Sequence, residues 1–171
     1  MSDGVTLRPI YADRDLPVLA SIYASTRDWE MAVVPWTEEE KARFLEQQFF
    51  AQHVAYATTY QAPDFRIIEV KGRTAGRLYL NRGSGEIRVV DIAIMPEFRN
   101  RGLGRALLSD VIAEAARDGR KVSINVEANN IVARRLYDSL GFTQVSAGPV
   151  YHLLEIEPAA SNIPKPQLKM A

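Results

Sequence analysis

Residues 91–108, DIAIMPEFRNRGLGRALL, form the stretch that decides the fold of this 171-residue chain. An apolar strand pattern runs into Pro96, a short loop rich in arginine and glycine follows, and a long amphipathic helix begins at Gly102. Small residues at the start of a helix leave its unpaired N–H groups open to a ligand, and these groups form an anion site together with the helix dipole. The segment therefore predicts a strand–loop–helix unit that binds a group with several negative charges.

Two other phosphate-binding loops fit this segment poorly. A dinucleotide fingerprint requires a third glycine where this chain has Leu107, and a P-loop requires a Gly-Lys-Ser or Gly-Lys-Thr tripeptide that does not occur here. A nucleotide-binding regulator is therefore disfavoured. The loop alone leaves one alternative open, in which Gly102 and Gly104 form only a tight turn between strand and helix.

The hydrophobic pattern on both sides of this segment predicts the rest of the fold. Strands are expected at residues 6–8, 65–70, 74–81, 86–95, 121–127, 142–146 and 150–155, the fifth of them half-buried. Helices are expected at residues 15–24, 37–49, 102–118 and 130–140. Short links between the second, third and fourth strands imply antiparallel neighbours. The expected class is α/β (α+β), with a mixed, mostly antiparallel sheet of six to seven strands and helices on both faces.

Capping residues set the expected starts of the first two helices. Asp13 or Asp15 is the candidate cap of the first helix, and Thr37 with Glu40 forms a capping box for the second. The connection between these helices, residues 27–36, has no clear period. It carries Trp29, Glu30 and Trp36.

Composition limits the classes of function. The 21 basic residues balance the 21 acidic ones, so no overall field favours nucleic acid or an anionic membrane. The chain has no cysteine and only two histidines, so we expect neither a thiolate metal site nor an acyl-cysteine intermediate. We expect one domain over residues 1–157 and a flexible or draped tail over residues 158–171. The polar start of the chain lacks the apolar run of a secretory signal, and we expect a cytoplasmic protein.

Two motifs resemble those of the GNAT superfamily of N-acetyltransferases. The first is Arg99-Asn100-Arg101-Gly102-Leu103-Gly104 after the strand end Ile94-Met95-Pro96, similar to the Arg/Gln-x-x-Gly-x-Gly/Ala signature. The second is NIVARRLYDSLGF at residues 130–142, which matches Asn-x-x-Ala-x-x-Leu-Tyr-x-x-x-Gly-Phe at every fixed position. Together they cover about a third of the chain, and the expected element order agrees with the superfamily over the rest.

The resemblance implies acetyl-CoA as cosubstrate, no metal, and a role for each motif. The backbone of Ile92, Ala93 and Ile94 would pair with the pantetheine arm. The loop would hold the pyrophosphate through Arg99, Asn100, Arg101, Gly102, Leu103 and Gly104. Asn130 would bind the cofactor arm, although it is also a plausible helix N-cap, and Tyr137 would protonate the departing thiolate, although its position also suits a core tyrosine.

The general base is less well specified by the sequence. Asp91 is our candidate, with Glu86 and Glu127 as alternatives and an exposed charge as the plain interpretation of all three. Some relatives, such as the ribosomal-protein alanine acetyltransferases, carry a glutamate five residues before the motif asparagine, where this chain has Asn125. Without cysteine, direct transfer from acetyl-CoA to a primary amine is expected rather than a covalent acyl-enzyme.

The acceptor is left open as a small molecule or a peptide. In the superfamily the connection between the first two helices shapes the acceptor site, and here Trp29, Glu30 and Trp36 offer aromatic walls and a carboxylate for a cation. A catalytically silent acyl-CoA sensor is the alternative function. We expect no nucleic acid and no membrane partner, and a homodimer is possible.

Overall fold

The computed structural model describes residues 4–158, which form a seven-stranded sheet and five α-helices. The predicted tail lies almost wholly outside the described residues. None of the helices within residues 4–158 is long and apolar enough to cross a membrane. The elements are, in chain order, β1 (Val5–Pro9), α1 (Ala12–Ser25), α2 (Asp28–Met31), α3 (Glu38–Thr59), β2 (Pro63–Val70), β3 (Arg73–Arg82), β4 (Glu86–Ile94), a 3₁₀ turn (Pro96–Phe98), α4 (Leu103–Arg117), β5 (Lys121–Glu127), α5 (Ile131–Ser139), β6 (Thr143–Ala147) and β7 (Tyr151–Ile156).

The sheet is mixed and mostly antiparallel, as predicted. Its strand order is β1-β2-β3-β4-β5-β7-β6, and β4 with β5 is the one parallel pair in the part of the chain that is described. The parallel pair follows from α4, which crosses over the sheet between these two strands. Helices cover both faces, which confirms the expected architecture.

Two apolar cores lie on opposite faces of the sheet. Helices α4 and α5 pack on one face through Leu107, Leu108 and Tyr137, and α1 and α3 pack on the other through Ile22 and Phe49. Both cores consist of aliphatic and aromatic side chains that are almost fully buried. At about 25 cal/mol per Å² of apolar surface removed from water, this burial is the main stabilising contribution to the fold.

A β-bulge in β4 changes which face its side chains meet. The register with β3 shifts between Tyr79 and Leu80, so that one residue of β4 has no partner opposite. Val89 before the bulge and Ile92 after it both face the α4 core. Val90, the residue without a partner on β3, faces the α1–α3 core. Asp91, next to Val90, therefore projects from the α1–α3 face, although strict alternation would place it on the other.

The expected cap of α1 is wrong. The helix begins one turn earlier than predicted, and its N-cap is Tyr11, which has no capping side chain. Asp15 instead reaches back from the first turn, accepts a hydrogen bond from the Tyr11 N–H at 2.8 Å, and pairs with Arg8 at 2.7 Å. The Arg8 guanidinium holds the pKa of this buried carboxyl well below its usual range.

Helix α3 begins where it was predicted to begin, but it is longer than predicted. Thr37 and Glu40 form the capping box in both directions, yet the helix continues to Thr59. Its core-facing positions include the polar Gln52 between Phe49 and Tyr56, which interrupts the apolar pattern in the sequence. Gln52 is tolerated there because it accepts a hydrogen bond from Arg77 at 2.7 Å.

Two further segments differ from expectation. The aperiodic connection contains the short helix α2, which is too short for periodicity to reveal. Strand β5 was predicted to be half-buried, but Val122, Ser123 and Ile124 are all buried. Ser123 is buried because the Arg88 side chain reaches across and donates to its hydroxyl at 2.9 Å.

Candidate active site

A gap opens in the middle of the sheet between β4 and β5. The two strands pair in parallel register from Glu86 with Lys121 to Val89 with Ile124, and no further. Beyond that point β4 stays with β3 up to Ile94, while β5 stays with β7 up to Glu127. Both strands therefore present unpaired backbone groups to the gap, and an extended ligand can occupy it as an added strand does.

The direction of the β4 backbone selects which groups face the gap. The Met95 N–H donates to the Ala75 carbonyl on β3 at 2.8 Å. Because N–H groups alternate sides along a strand, those of Ile92 and Ile94 point away from β3 and into the gap, whereas Ala93 bonds to β3. Three residues were predicted to pair with a pantetheine arm through their backbone. Ile92 and Ile94 direct their N–H groups toward the gap as this pairing requires, and Ala93 does not.

A glycine on β3 sets how closely these strands approach. A Cβ added at Gly76 would lie 2.0 Å from the carbonyl oxygen of Ala93. Any side chain at this position would push β4 away, so Gly76 fixes the position of the strand edge that borders the gap.

The loop after β4 leaves a helix N-terminus open. Asn100 and Gly102 have left-handed backbone angles, with φ of 59° and 77°. Gly102 is the N-cap of α4 and provides no side chain to accept from the first-turn N–H groups. A Cβ at Gly104 would meet only Leu136, at 3.8 Å. The first turn of α4 is thus accessible to an anion, as the loop pattern predicts.

The loop arginines have different tasks. Arg99 donates from Nε to the Ile94 carbonyl at 2.8 Å and from its guanidinium to the Ser25 carbonyl at 2.9 Å. These bonds join the end of β4 to the end of α1, so the Arg99 side chain braces the loop. Arg105 donates to the Ser139 hydroxyl at 2.6 Å, and Arg101 lies over the Phe98 ring, 5.9 Å from its centroid.

A cleft of about 880 Å³ joins the loop to the gap. Its walls are the end of β4, the first turn of α4, the first turn of α5 and the end of α1. Asn130 borders it and is the N-cap of α5, since its Oδ1 accepts from the Ala133 N–H at 3.0 Å. The cleft contains all but one of the predicted cofactor-binding residues: Ile92, Ala93, Ile94, Arg99, Asn100, Gly102, Leu103, Gly104 and Asn130. The remaining one, Arg101, is not in its lining.

A second cavity, of about 520 Å³, lies on the α1–α3 side of the gap. It includes Asp91, Tyr137 and Glu30 together with Asn125. Six residues border both cavities, so the two spaces meet at the gap: Thr26, Trp29, Ile92, Glu127, Asn130 and Ala133.

Tyr137 borders the second cavity from the α4–α5 side of the sheet. Its side chain belongs to the α4–α5 core, packs edge-on against Phe142 with ring centroids 5.7 Å apart, and still borders the second cavity. Burial, together with the negative charge of Asp91, raises the pKa of Tyr137 to about 12. The hydroxyl therefore keeps its proton at neutral pH and can donate it.

Asp91 is held by a buried arginine. It forms an ion pair with Arg77, whose side chain is only 2% exposed and also donates to Gln52. Burial acts to lower the pKa of Arg77, but its neighbours, chiefly the negative charge of Asp91, outweigh burial and raise that pKa. Of the alternative bases, Glu127 borders both cavities, whereas Glu86 lies at the far end of β4 and borders neither.

The second cavity also contains residues that the sequence did not single out. They come from five separate elements: Tyr23, Gln52, Tyr56, Arg77, Arg88 and Tyr151. One signal was available, because an arginine interrupts the otherwise uncharged run TAGRLYL in β3. Two tryptophans were considered for the acceptor site, and only Trp29 borders the two cavities. Trp36 borders neither and packs against Phe44, with ring centroids 5.3 Å apart.

The family model described as "Acetyltransferase (GNAT) family" matches residues 22–142. The chain belongs to this family. Both motifs and both walls of the gap lie within the matched residues.

Two curated relatives of the family show how far the sequence similarity extends. The ribosomal protein bS18-alanine N-acetyltransferase of Escherichia coli (strain K12) is 37% identical over 68 residues, covering 39% of this chain and 46% of that protein. A mycothiol acetyltransferase of Amycolatopsis mediterranei (strain U-32) is 30% identical over 151 residues, covering 84% of this chain and 48% of that protein. The chain thus spans about half the length of the curated relatives that it matches.

Solved structures of the family share the fold. The PaiA N-acetyltransferase of Thermoplasma acidophilum, in complex with coenzyme A, superposes with a TM-score of 0.68 at 16% identity and covers 92% of this chain and 99% of that one. The ribosomal-protein-S18-alanine N-acetyltransferase of Escherichia coli superposes with a TM-score of 0.60 at 23% identity, covering 93% and 98%.

Proposed function

We propose that this chain binds acetyl-CoA in the cleft between β4 and β5 and transfers the acetyl group directly to a primary amine in the second cavity. One observation carries the proposal. Two cavities meet at a gap in the sheet that has unpaired backbone N–H groups on one side, and Tyr137, whose hydroxyl is protonated, borders the second of these cavities.

The cofactor half of the proposal rests on backbone groups. The first turn of α4, with Gly102 as a cap that has no side chain, suits a pyrophosphate. The N–H groups of Ile92 and Ile94 suit the amides of an extended arm. In this arrangement the Arg99 side chain braces the loop, while backbone groups of the loop meet the phosphates. Asn130 would contribute its amide N–H, since its oxygen already caps α5.

The chemical step needs one proton removed and one supplied. The amine nitrogen attacks the thioester carbon, the carbon–sulfur bond breaks, and the products are an amide and a free thiol. A backbone N–H of β4 near Ile94 would stabilise the oxyanion. Tyr137 would donate its proton to the departing sulfur, which its raised pKa permits at neutral pH.

Proton removal from the amine is assigned to Asp91. An alkylamine has a pKa near 10.4, so only about one molecule in two thousand is uncharged at pH 7. A positioned base contributes roughly 10²- to 10⁴-fold. Because Asp91 is in an ion pair with Arg77, we expect a contribution near the lower end of that range.

Calorimetry tests the binding half first. We expect one-to-one binding of acetyl-CoA with micromolar affinity, followed by thiol release when a panel of primary amines is added. Detection by a thiol reagent is well suited to this chain because it has no cysteine. Absence of heat at two temperatures would contradict acetyl-CoA binding, and binding without release from any amine would contradict the transfer.

A further inference from the structure

We infer that the acceptor is an amine that also carries a carboxylate, and that Arg88 binds this carboxylate in the second cavity. The inference rests on the proposed function and specifies its substrate class. It follows from the charges that border the cavity and from the partners that each of them has.

The arginines of the second cavity are not equally neutralised. Arg77 pairs with Asp91, and Arg27 pairs with Glu30 at 3.1 Å and approaches Glu127 at 3.9 Å. Arg88 borders the same cavity, but its recorded partner is the neutral hydroxyl of Ser123. Within residues 4–158 it forms no ion pair shorter than 4.0 Å.

The acid closest to Arg88 in the sheet pairing is already engaged. Arg88 is opposite Ser123, and Ser123 is opposite Glu155, so the three side chains share one row on one face. Glu155 pairs with Lys121 at 2.7 Å instead. Since Ser123 is fully buried beneath it, the Arg88 guanidinium is held in place at the cavity wall. An arginine held in this way retains donors for a carboxylate.

The negative side of the cavity lies near the gap. Arg27 is shared between two carboxylates, Glu30 and Glu127, which leaves an excess of negative charge around them. Glu127 also borders the cofactor cleft. An ammonium group attracted to this side therefore lies beside the site of acetyl transfer. If the same molecule also carries a carboxylate, that carboxylate can bind Arg88, so that both charged ends of the acceptor are neutralised.

Tyrosine side chains in the cavity wall favour a polar acceptor. Tyr56 and Tyr23 border the cavity, and burial raises the pKa of both, so their hydroxyls remain neutral. Neutral hydroxyls donate hydrogen bonds without cancelling the charge of Arg88.

The spacing along β4 defines the acceptor further. Arg88 and Ile92 lie opposite Asn81 and Leu78, which are only three residues apart on β3, because the bulge adds one residue to β4. At about 3.3 Å per residue, the Cα atoms of Arg88 and Ile92 are therefore roughly 10 Å apart. Side chains at both ends shorten the span that the acceptor must bridge. We therefore expect several bonds between amine and carboxylate, more than the single carbon of an α-amino acid.

Matched substrates test the inference. The panel contains ω-aminoalkanoic acids with one to five methylenes between the two groups, each compared with the alkylamine of equal chain length. We expect the longer acids to exceed their amines in kcat/KM by about 10- to 100-fold, as a charge-assisted hydrogen bond supplies. In Arg88→Gln this preference should disappear, because each acid should then react no faster than the alkylamine of equal chain length measured with the same variant.

Two controls separate a local effect from a general one. Arg43→Gln replaces an exposed arginine on α3 that borders neither cavity, and it should keep the preference for the acids. Ser123→Ala removes the hydroxyl that holds Arg88 and should reduce the preference by a smaller factor. Thermal midpoints of all variants show whether each still folds.

A binding measurement makes the test independent of turnover. Trp29 borders both cavities, so its fluorescence reports acceptor binding to protein saturated with coenzyme A. Acids that bind and react no better than their amines, or a preference that survives Arg88→Gln, would overturn the inference while leaving the acetyltransferase intact. Failure of acetyl-CoA binding would overturn the function, and the same fluorescence titration of the protein without cofactor would still decide whether Arg88 selects a carboxylate.

Discussion

The two cavities that meet at the sheet gap are built in different ways. The cleft proposed for the cofactor is bordered largely by two short continuous segments, the end of β4 with the first turn of α4 and the first turn of α5, and its proposed contacts are mostly backbone groups. The cavity proposed for the acceptor is bordered by residues from α1, α2, α3, β3, β4, β5, α5 and β7, which are far apart in the sequence. A site made of backbone groups depends on the local conformation of the chain. A site made of side chains depends on which residues the fold brings together.

The difference predicts which substitutions affect binding and which affect chemistry. In the cofactor cleft, changes matter when they move the backbone or alter charge at a helix end. In the acceptor cavity, single polar atoms matter, because each is aimed at one place. Four substitutions or conditions separate the two behaviours.

Tyr137→Phe should have the largest effect. Removing the hydroxyl that donates to the thiolate is expected to lower kcat by roughly 10²-fold or more. Acetyl-CoA affinity should stay within about twofold, because no proposed contact to the cofactor is removed. A thiol-release assay measures kcat, and calorimetry measures the affinity for acetyl-CoA. An unchanged kcat would exclude Tyr137 as the acid, whereas acetyl-CoA binding without turnover in either protein would favour a silent acyl-CoA-binding role for the chain.

Gly76→Ala should have the next largest effect, and it should affect both cavities together. The added methyl would lie 2.0 Å from the Ala93 carbonyl, so β4 must shift, at a cost of about 3 kcal/mol in unfolding free energy. Denaturant unfolding and acetyl-CoA titration measure the two consequences. Gly85→Ala is the matched control, since a methyl there meets nothing within 4 Å. Equal stability of the two variants would contradict the close approach of β3 to β4.

Gly104→Asp should separate stability from affinity. An acidic residue in the first turn of α4 interacts favourably with the helix dipole and replaces a glycine, so unfolding free energy should rise by about 0.5–1 kcal/mol. The same charge repels a pyrophosphate at that turn, and we expect acetyl-CoA affinity to fall about tenfold. Gly104→Ala, which adds a methyl 3.8 Å from Leu136, should bind nearly as the wild type. If the aspartate variant binds equally well, the phosphates lie elsewhere.

The pH dependence should show the smallest effect. Because the pKa of Tyr137 is raised to about 12, its donor form persists through pH 10, whereas an ordinary tyrosine with a pKa near 10 would be half ionised there. At saturating substrates, kcat should therefore show no descending limb between pH 8 and pH 10.5. A fall in kcat with an apparent pKa near 10 that is absent in Tyr137→Phe would contradict the raised pKa of Tyr137.

Much of the fold was predictable because its elements are locally encoded. Alternation located the seven strands within about two residues, and the stripe of Leu107 and Leu108 located α4. The misses have local causes too. The polar Gln52 hid the second half of α3, and α2 is too short to show a period. Asp15 was mistaken for a cap because its partner Arg8 lies on a strand before the helix.

The strand–loop–helix unit and the second motif, which border the cleft proposed for acetyl-CoA, could be predicted from the sequence because backbone geometry in a short segment follows from nearby glycine, proline and apolar spacing. Three features became visible only in the packed fold: Arg99 braces the loop, a bulge turns Asp91 toward Arg77, and Arg88 borders the second cavity. These contacts join residues distant in the chain. Their energies depend on burial and on which charge comes near which, and neither is fixed until the sheet and helices have packed.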